Sequence, residues 1–584
     1  MGGILAFNLK EKEVEPMGAG IPSPRRCFAF SMRNPFARAL ALATTLFTLC
    51  MLLLQSQSSD VRGAILRTAN TAKGAIASQR PLGNHKHGAW GDGARTPSEV
   101  TGGHSVIPVS ANSNLSHPMT CDYDMERLKE WQEKFKLQGK FEYTKRYVQI
   151  SRESGTRKSI TELDEDFMPD QVTMVDVKKK YQTEKCPQPL RVPVTQSPFP
   201  ATANASDFIF GVSTTYKRFM DPRTSPINEW SYWLTDSKGH SNGGKLVLML
   251  LGASVQELED AYGRLRNVGI DVDVYQSDTK MEMAVRYLTL VPTLYNHPKR
   301  KDKKWIVICD DDTFFPSFHA LAEKFEGYNH ERPMYIGTFS EDANNIARHG
   351  EQAFGGAGVF LSVPMAKIVT DKYEACKTDE KIKESNTGWG PQGDILLRKC
   401  IYENSETRLT MVQDLWQLDL FGDPSGFYES GIKPLSLHHY RGGSWHKALP
   451  WHYTKVSHIC GEDCMMQRFQ TADNFIISNG FSIAYYPKGI DFDLDQFERT
   501  FRSAPDDKGW NLDFKFGPQR PSLLRTGRKV SWDLQEANLN EDGTLTQIYV
   551  RKHDDHRWKN PDGSAMSSTD GLIELIWLPD EQQR

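Results

Sequence analysis

The chain has 584 residues, enough for several domains and for at least one large hydrophobic core. Its 71 Lys and Arg nearly balance its 74 Asp and Glu, and a net charge of −3 lacks the basic excess of a general nucleic-acid binder, so no nucleic acid is expected as a partner. The mean hydropathy of −0.54 excludes a membrane protein with many spans.

One uncharged apolar run stands near the start, ALALATTLFTLCMLLL at 39–54. It is close to the roughly 17–25 residues that a spanning helix needs, so a transmembrane signal anchor is predicted at 36–55. Arginines are concentrated before the run and only Arg62 closely follows it, which leaves 1–35 in the cytosol and the rest lumenal. A cleaved secretory signal is the alternative, but the leader is long and no small-x-small cleavage site follows.

Seven of the nine cysteines follow this run, in a compartment where disulfides form. Because seven is odd, at least one thiol stays free, and Cys309 at the end of the apolar run WIVIC is the candidate. Nearness in sequence favours three pairs: Cys121 with Cys186, Cys376 with Cys400, and Cys460 with Cys464. The sequons at Asn114 and Asn204 are expected to carry lumenal glycans.

Composition divides the chain beyond the anchor into four parts. Residues 56–120 are rich in Ser, Gly, Ala and Asn and predict a flexible stem. Residues 121–204 contain a helix-like stretch, MERLKEWQEKFK, and end in a Pro-rich segment, which indicates a small accessory region. A domain of alternating strands and helices is predicted at 205–490, and 491–584 form a C-terminal extension with a late apolar stretch, LIELIWL, to which no chemistry is assigned.

Strand and helix patterns alternate in the part from 205 to 490. Apolar or alternating runs predict strands at 208–213, 245–251, 270–275 and 305–309. Amphipathic patterns predict helices at 255–268, capped by Ser254, and at 281–295. This alternation predicts an α/β fold with a largely parallel sheet covered by helices, in which ligands bind beyond the carboxyl ends of the strands.

Three carboxylates, Asp310, Asp311 and Asp312, stand at such a strand end, directly after WIVIC. Hard oxygen ligands in this position suit Mg²⁺ or Mn²⁺ bridging a diphosphate. Most acidic clusters are solvated turns. This cluster follows an apolar strand directly, and that position favours a metal site.

Five segments, in this order, resemble the fungal Fringe-like members of glycosyltransferase family 31, which have the GT-A fold. They are WIVICDDDTFF (305–315), FGGAGVFLS (354–362), GWGPQGDILLRKCI (388–401), LDLFGDPSGFYES (418–430) and PLSLHHYRGGSWHK (434–447). The resemblance covers about 207–490, which implies that 205–490 is the catalytic domain. It implies a GT-A glycosyltransferase, with a Rossmann-like mixed sheet flanked by helices, held in the Golgi membrane as a single-pass type II protein.

The resemblance also implies the cofactor and its ligands, Mn²⁺ or Mg²⁺ with a UDP-sugar as donor. Asp312 matches the direct metal ligand, Asp310 a contact to the nucleoside, and Asp311 a supporting residue. His438 matches the second ligand, His439 is a near-equal alternative, and a hydrogen-bonded structural histidine is the competing interpretation for either.

Further residues of the nucleotide-sugar pocket follow from the same resemblance. They are Lys217, Arg218, Gly355, Gly356, Ala357 and Gly358. A surface basic pair and an ordinary glycine turn are the alternatives.

The catalytic base implied by the family is an acid at the head of a helix. Gly393 replaces the first of the two acids that family members carry there, so Asp394 alone matches the base, and a helix cap is the alternative role. Trp389 is a candidate for stacking on an acceptor sugar, although a core tryptophan is equally consistent with the pattern.

The predicted function is an inverting transfer of a hexose or N-acetylhexosamine from a UDP-sugar to a hydroxyl of a glycan or glycoprotein, with a β1,3 linkage by analogy to the family. A catalytically silent lumenal carbohydrate-binding or scaffold protein that keeps the nucleotide pocket is the alternative. A metal-dependent phosphohydrolase is a third, weaker one.

Overall fold

The structure is a computed structural model that describes residues 119, 122–168, 172–181, 188–222, 226–442, 446–502 and 512–579. The predicted anchor and stem, the Asn114 sequon and the Cys121–Cys186 pair lie outside the described residues. Within these ranges, no helix has the length and apolar character needed to cross a membrane.

The described chain forms strands that belong to two sheets. They are β1 (Phe141–Glu153), β2 (Ile160–Glu162), β3 (Thr173–Val175), β4 (Leu190–Thr195), β5 (Phe208–Thr214), β6 (Lys245–Leu251), β7 (Asp271–Ser277), β8 (Trp305–Ile308), β9 (Tyr335–Gly337), β10 (Val359–Ser362), β11 (Leu409–Met411), β12 (Arg468–Gln470), β13 (Phe475–Ser478), β14 (Ser482–Tyr485), β15 (Val530–Leu539), β16 (Leu545–Arg551) and β17 (Gly571–Trp577).

The α-helices are short or of moderate length. They are α1 (Met125–Lys134), α2 (Tyr216–Phe219), α3 (Pro226–Leu234), α4 (Val255–Asn267), α5 (Met283–Tyr295), α6 (Phe318–Glu326), α7 (Ala343–His349), α8 (Val363–Asp371), α9 (Tyr373–Cys376), α10 (Asp379–Glu384), α11 (Gly393–Asn404), α12 (Ser425–Tyr428), α13 (Pro450–Tyr453), α14 (Ser457–Cys460) and α15 (Asp513–Phe516).

The seven-stranded sheet has the order β11-β9-β10-β8-β5-β6-β7. Its strands β5, β6, β7 and β8 run parallel, whereas β10 is antiparallel to both β8 and β9, so the sheet is mixed. The four predicted strands are confirmed as β5 to β8 and the two predicted helices as α4 and α5. Ser254 caps α4 in a capping box with Glu257.

Both faces of this sheet are buried, which explains the continuous apolar run of β8. Trp305 and Val307 pack into one core, with residues of α3 and α6, and Ile306 and Ile308 pack into the opposite core, with α5, α8 and α11. The backbone that follows β8 is therefore held from both sides, and Asp310–Asp312 leave the sheet at a fixed place.

The ten-stranded sheet has the order β2-β12-β13-β14-β15-β16-β17-β1-β3, with β4 also beside β1. Its strands come from all three of the predicted regions 121–204, 205–490 and 491–584. β1 pairs in parallel with β17, placing Tyr143 opposite Leu572, and β2 pairs in parallel with β12. The late apolar stretch LIELIWL is thus the buried strand β17.

Two of the favoured disulfides are present. Cys376–Cys400 joins α9 to α11, with Cα atoms 5.3 Å apart, and Cys460–Cys464 closes the turn after α14. Cys309 is free and buried, as predicted.

Candidate functional site

A cavity of about 1080 Å³ lies where the parallel strands end. Its walls include Ser213 and Thr214 at the end of β5, Leu251 at the end of β6, and Asp310–Asp312 after β8. Further lining residues lie at 438–442, 447–449 and 451–452. The cavity therefore lies at the carboxyl edge of the sheet, where the α/β pattern predicts a ligand.

Three groups with metal-ligand chemistry converge in this cavity: Asp310, Asp312 and His438. The Nε2 atom of His438 lies 3.2 Å from a carboxylate oxygen of Asp312 and 3.4 Å from one of Asp310. Nδ1 of the same ring donates to the main-chain oxygen of Gln417 at 3.2 Å, which leaves Nε2 directed at the carboxylates.

The glycine segment lies behind this group and makes room for it. A Cβ atom added to Gly356 would stand 2.0 Å from Cε1 of His438, so a side chain at 356 and the imidazole cannot coexist. The hydroxyl of Thr313 donates to the main-chain oxygen of Gly356 at 2.8 Å and accepts from the backbone N–H of Asp310 at 3.0 Å. The acidic loop and the glycine segment are thereby tied together.

The electrostatics favour positive charge between the two carboxylates. Burial opposes protonation of His438, yet Asp312 and Asp310 outweigh it and raise the pKa of the imidazole to about 10. Burial also disfavours ionised Asp312, but His438 and Arg441 hold the pKa of its carboxyl below the ordinary value. A divalent cation meets the same preference for positive charge. The two carboxylates offer hard oxygen ligands and His438 offers a ring nitrogen, so these residues fit such a cation.

Asp311 points away from the group and anchors two arginines. Arg218 Nε donates to Asp311 at 2.7 Å, and Arg441 donates to the Asp311 main-chain oxygen at 2.7 Å and to buried Glu229 at 2.8 Å. Thr214 also donates to the Asp311 carboxylate. Asp311 therefore fixes cationic side chains at the cavity wall.

The structure separates the two neighbouring histidines. His439 Nδ1 lies 2.9 Å from the carboxylate of Asp419, which Ser340 and Asn345 also contact. Of the two ligand alternatives, His438 is the one that faces Asp310 and Asp312.

Asp394 lies in the first turn of α11, one residue after Gly393. The N-cap position belongs to Gln392, which makes no side-chain cap hydrogen bond, and the carboxylate of Asp394 accepts from the backbone N–H of Ile395 at 2.9 Å. Because that N–H belongs to the first turn of α11, a helix-terminal role stays open beside the predicted role as base. Burial raises the pKa of this carboxyl to about 6, with Asp310 adding to the effect.

The other predicted residues are dispersed. Arg218 lines the cavity, whereas Lys217 is exposed and is not among the lining residues. Residues 355–358 are buried and likewise do not line it. Trp389 is 71% exposed, with Arg348 stacked 4.0 Å above its ring, so it is not a core tryptophan. Asn204 is exposed, as a glycosylation acceptor must be.

Sequence reasoning missed Arg441, Glu229 and Tyr287, all of which line the cavity. Glu229 carried a usable signal, because it is the single charged residue of the apolar helix α3, PINEWSYWL. A buried carboxylate requires a partner, and Arg441 with Tyr440 provides it.

A family model described as Fringe-like matches residues 266–421. The matched part holds the acidic triplet, the glycine segment and Asp394, and it ends before His438. The match supports a glycosyltransferase. No curated protein matches the chain.

Several solved structures align with part of the chain. Mouse xyloside xylosyltransferase 1 aligns with 35% of this chain and 85% of its own, at 12% identity and a TM-score of 0.24. The mannosyltransferase PcManGT from Pyrobaculum calidifontis aligns with 37% of this chain and 59% of its own, at 13% identity and a TM-score of 0.22. The galactosyltransferase LgtC aligns with 35% and 73%, at 11% identity and a TM-score of 0.25.

Proposed function

We propose that the chain is an inverting, metal-dependent glycosyltransferase that moves a hexose or N-acetylhexosamine from a UDP-sugar to a hydroxyl of a glycan or glycoprotein, forming a β1,3 linkage. The observation that carries the proposal is the convergence of Asp310, Asp312 and His438 with arginine side chains in one cavity. The Fringe-like match supports the reaction class.

Asp310, Asp312 and His438 would hold Mn²⁺ or Mg²⁺ through two carboxylate oxygens and Nε2. When bound, the cation supplies charge stabilisation to a departing diphosphate. Arg218 and Arg441 carry the remaining positive charge of the site, and their pairing with Asp311 and Glu229 keeps them in place before the donor arrives.

Asp394 is the base in this proposal. It takes the proton of the acceptor hydroxyl as that oxygen attacks the anomeric carbon from the face opposite the UDP. A pKa of about 6 leaves the carboxyl ionised at neutral pH and close to the working range of a general base. Exposed Trp389, five residues earlier, offers a ring face for the acceptor sugar.

The location proposed for the enzyme is the Golgi membrane, in a single-pass type II orientation with the catalytic domain lumenal. The charge asymmetry around 36–55 supports it, and the two disulfides fit an oxidising lumen. Removal of N-glycans should shift the mobility of the full-length protein, and an unmodified Asn204 together with an unmodified Asn114 would contradict lumenal placement.

Incubation of the purified lumenal portion with Mn²⁺, a panel of UDP-sugars and glycan acceptors tests the activity, with mass analysis of the product. We expect release of UDP coupled to one added sugar. Binding of UDP without transfer to any acceptor would favour the silent carbohydrate-binding protein, and cleavage of phosphate esters without sugar transfer would favour the phosphohydrolase.

A further inference from the structure

The ring of Tyr287, on α5, lies between two segments that carry the proposed reaction. A Cβ atom added to Gly393 would stand 2.4 Å from Cβ of Tyr287, and one added to Gly355 would stand 2.7 Å from its hydroxyl oxygen. Contacts this short do not occur between real side chains. Tyr287 therefore occupies the space that a side chain at either glycine would need.

This packing continues to the proposed metal ligands on one side and to the proposed base on the other. Gly356, next to Gly355, contacts the imidazole of His438, and Asp394 follows Gly393 directly. A close-packed line thus runs from His438 through the glycine segment and Tyr287 to Asp394. Because protein interiors are packed without slack, a change in the size of one member shifts its neighbours.

The Cβ end of Tyr287 and the near side of its ring face Gly393, whereas the hydroxyl oxygen and the ring atoms next to it face Gly355. The hydroxyl oxygen is buried and has no hydrogen-bond partner among the described residues. Other tyrosines nearby do have one: Tyr335 accepts from Ala353, and Tyr373 bonds Thr289 on the same helix α5.

We infer that Tyr287 is a positioning residue, whose ring sets the separation between the carboxylate of Asp394 and the Asp310, Asp312 and His438 group. The inference rests on the proposed function. In that reaction the acceptor oxygen, deprotonated at Asp394, must meet the anomeric carbon of a sugar whose diphosphate is held at the metal. A misplacement of about 1 Å in such an arrangement lowers the rate by roughly 10²-fold.

The experiment compares Tyr287→Ala and Tyr287→Phe in Mn²⁺-dependent sugar transfer. We expect kcat to fall roughly 10²-fold in Tyr287→Ala, while the affinity for UDP in Mn²⁺ stays as in the wild type. Tyr287→Phe keeps the ring and should keep kcat. Tyr373→Ala removes a comparable ring from another contact of α5 and serves as the matched control, with kcat per folded molecule unchanged.

A second pair of variants decides the matter if Tyr287→Ala does not fold. Gly355→Ala should lower kcat, because the new Cβ meets the Tyr287 hydroxyl at 2.7 Å. With Tyr287→Phe in the same chain, the nearest ring atoms stand at 3.1 Å, and part of the lost kcat should return.

The two proposals fail in different ways. A wild-type protein that transfers sugar while Tyr287→Ala keeps the wild-type kcat overturns the positioning role alone, as does a Gly355→Ala defect that Tyr287→Phe leaves unchanged. A wild-type protein that binds UDP and transfers no sugar overturns the proposed function, and the positioning role with it.

Discussion

The two sheets of this chain differ in how they are assembled and in what they carry. The seven-stranded sheet is built from elements close in sequence, and its strand ends form the cavity with Asp310, Asp312 and His438. The ten-stranded sheet joins strands from both ends of the described chain, and none of its strands lines that cavity. The candidate site and the pairing of strands that are distant in sequence therefore belong to different sheets.

The largest effect should come from Asp394, the proposed base in the first turn of α11. Asp394→Asn removes the basicity and keeps the shape, so transfer should fall by roughly 10²–10⁴-fold. Affinity for UDP and folding should be retained, as measured by titration and thermal melting. Asp379→Asn, in the first turn of α10, is the matched control, since it removes an exposed helix-terminal acid away from the cavity. Unchanged transfer in Asp394→Asn would remove the base assignment.

A core residue of the ten-stranded sheet should show the reverse pattern. Trp577 is fully buried in β17 and donates to Gln547 at 2.8 Å, so Trp577→Ala should cost about 3–5 kcal/mol of stability. Transfer per folded molecule should stay at the wild-type level. Leu539→Ala, at the 44% exposed end of β15, should change stability by about 0.5 kcal/mol or less. A loss of kcat in folded Trp577→Ala would break the separation between the sheets.

Substitution of the proposed metal ligands should affect UDP binding more than folding. Asp312→Ala should weaken Mn²⁺-dependent UDP binding by more than about tenfold, or ~1.4 kcal/mol. His438→Ala should follow it, because both groups face the same point, whereas His439→Ala should not. Exposed Asp302 supplies the control substitution to Ala. A loss at His439 with none at His438 would move the ligand by one position.

The smallest predicted effect is a dependence on pH. Transfer requires ionised Asp394, so the rate should decline by about tenfold per unit as pH falls below about 6. The pH dependence of folding stability runs in the opposite direction to that of the transfer rate. Because the folded pKa is raised above the ordinary 3.8, this group stabilises the fold at low pH, and the contribution is lost as pH rises through about 6. Asp394→Asn should therefore melt at a higher temperature than wild type at pH 8 and show no such gain at pH 4.

The sequence predicted the seven-stranded sheet well, because its signals are local. The apolar runs of β5, β6 and β8 and the capping box of α4 lie within single elements, and a parallel βα alternation constrains their order. The pairing of β1 with β17 has no comparable signal. An alternating strand pattern indicates a buried face but does not name its partner, so the regions 121–204 and 491–584 were not predicted to share a sheet.

The candidate site was predictable in the same way, where its residues lie in recognisable segments and not where contacts distant in sequence place them. Asp312 and His438 lie in segments with recognisable order and spacing, and the structure brings them together. Arg441 lies in the same segment as His438, but its position in the site depends on Glu229, on a helix far away in sequence, and on the main chain of Asp311. Tyr287 was missed because nothing in its helix pattern separates it from other half-buried aromatic residues, and its neighbours are glycines, which have no side chains to signal contact.

The parallel pairing of β1 with β17 also determines when the ten-stranded sheet can form during synthesis of the chain. Gln138, just before β1, bonds Asp570, just before β17, across 432 residues. At the ribosomal rate of roughly 5–20 residues per second, an interval of about 20–90 seconds separates the synthesis of these two partners. The edge of β1 that pairs with β17 stays open through that interval, so the ten-stranded sheet closes only after β17 has been synthesised, whereas all strands of the seven-stranded sheet are made before it.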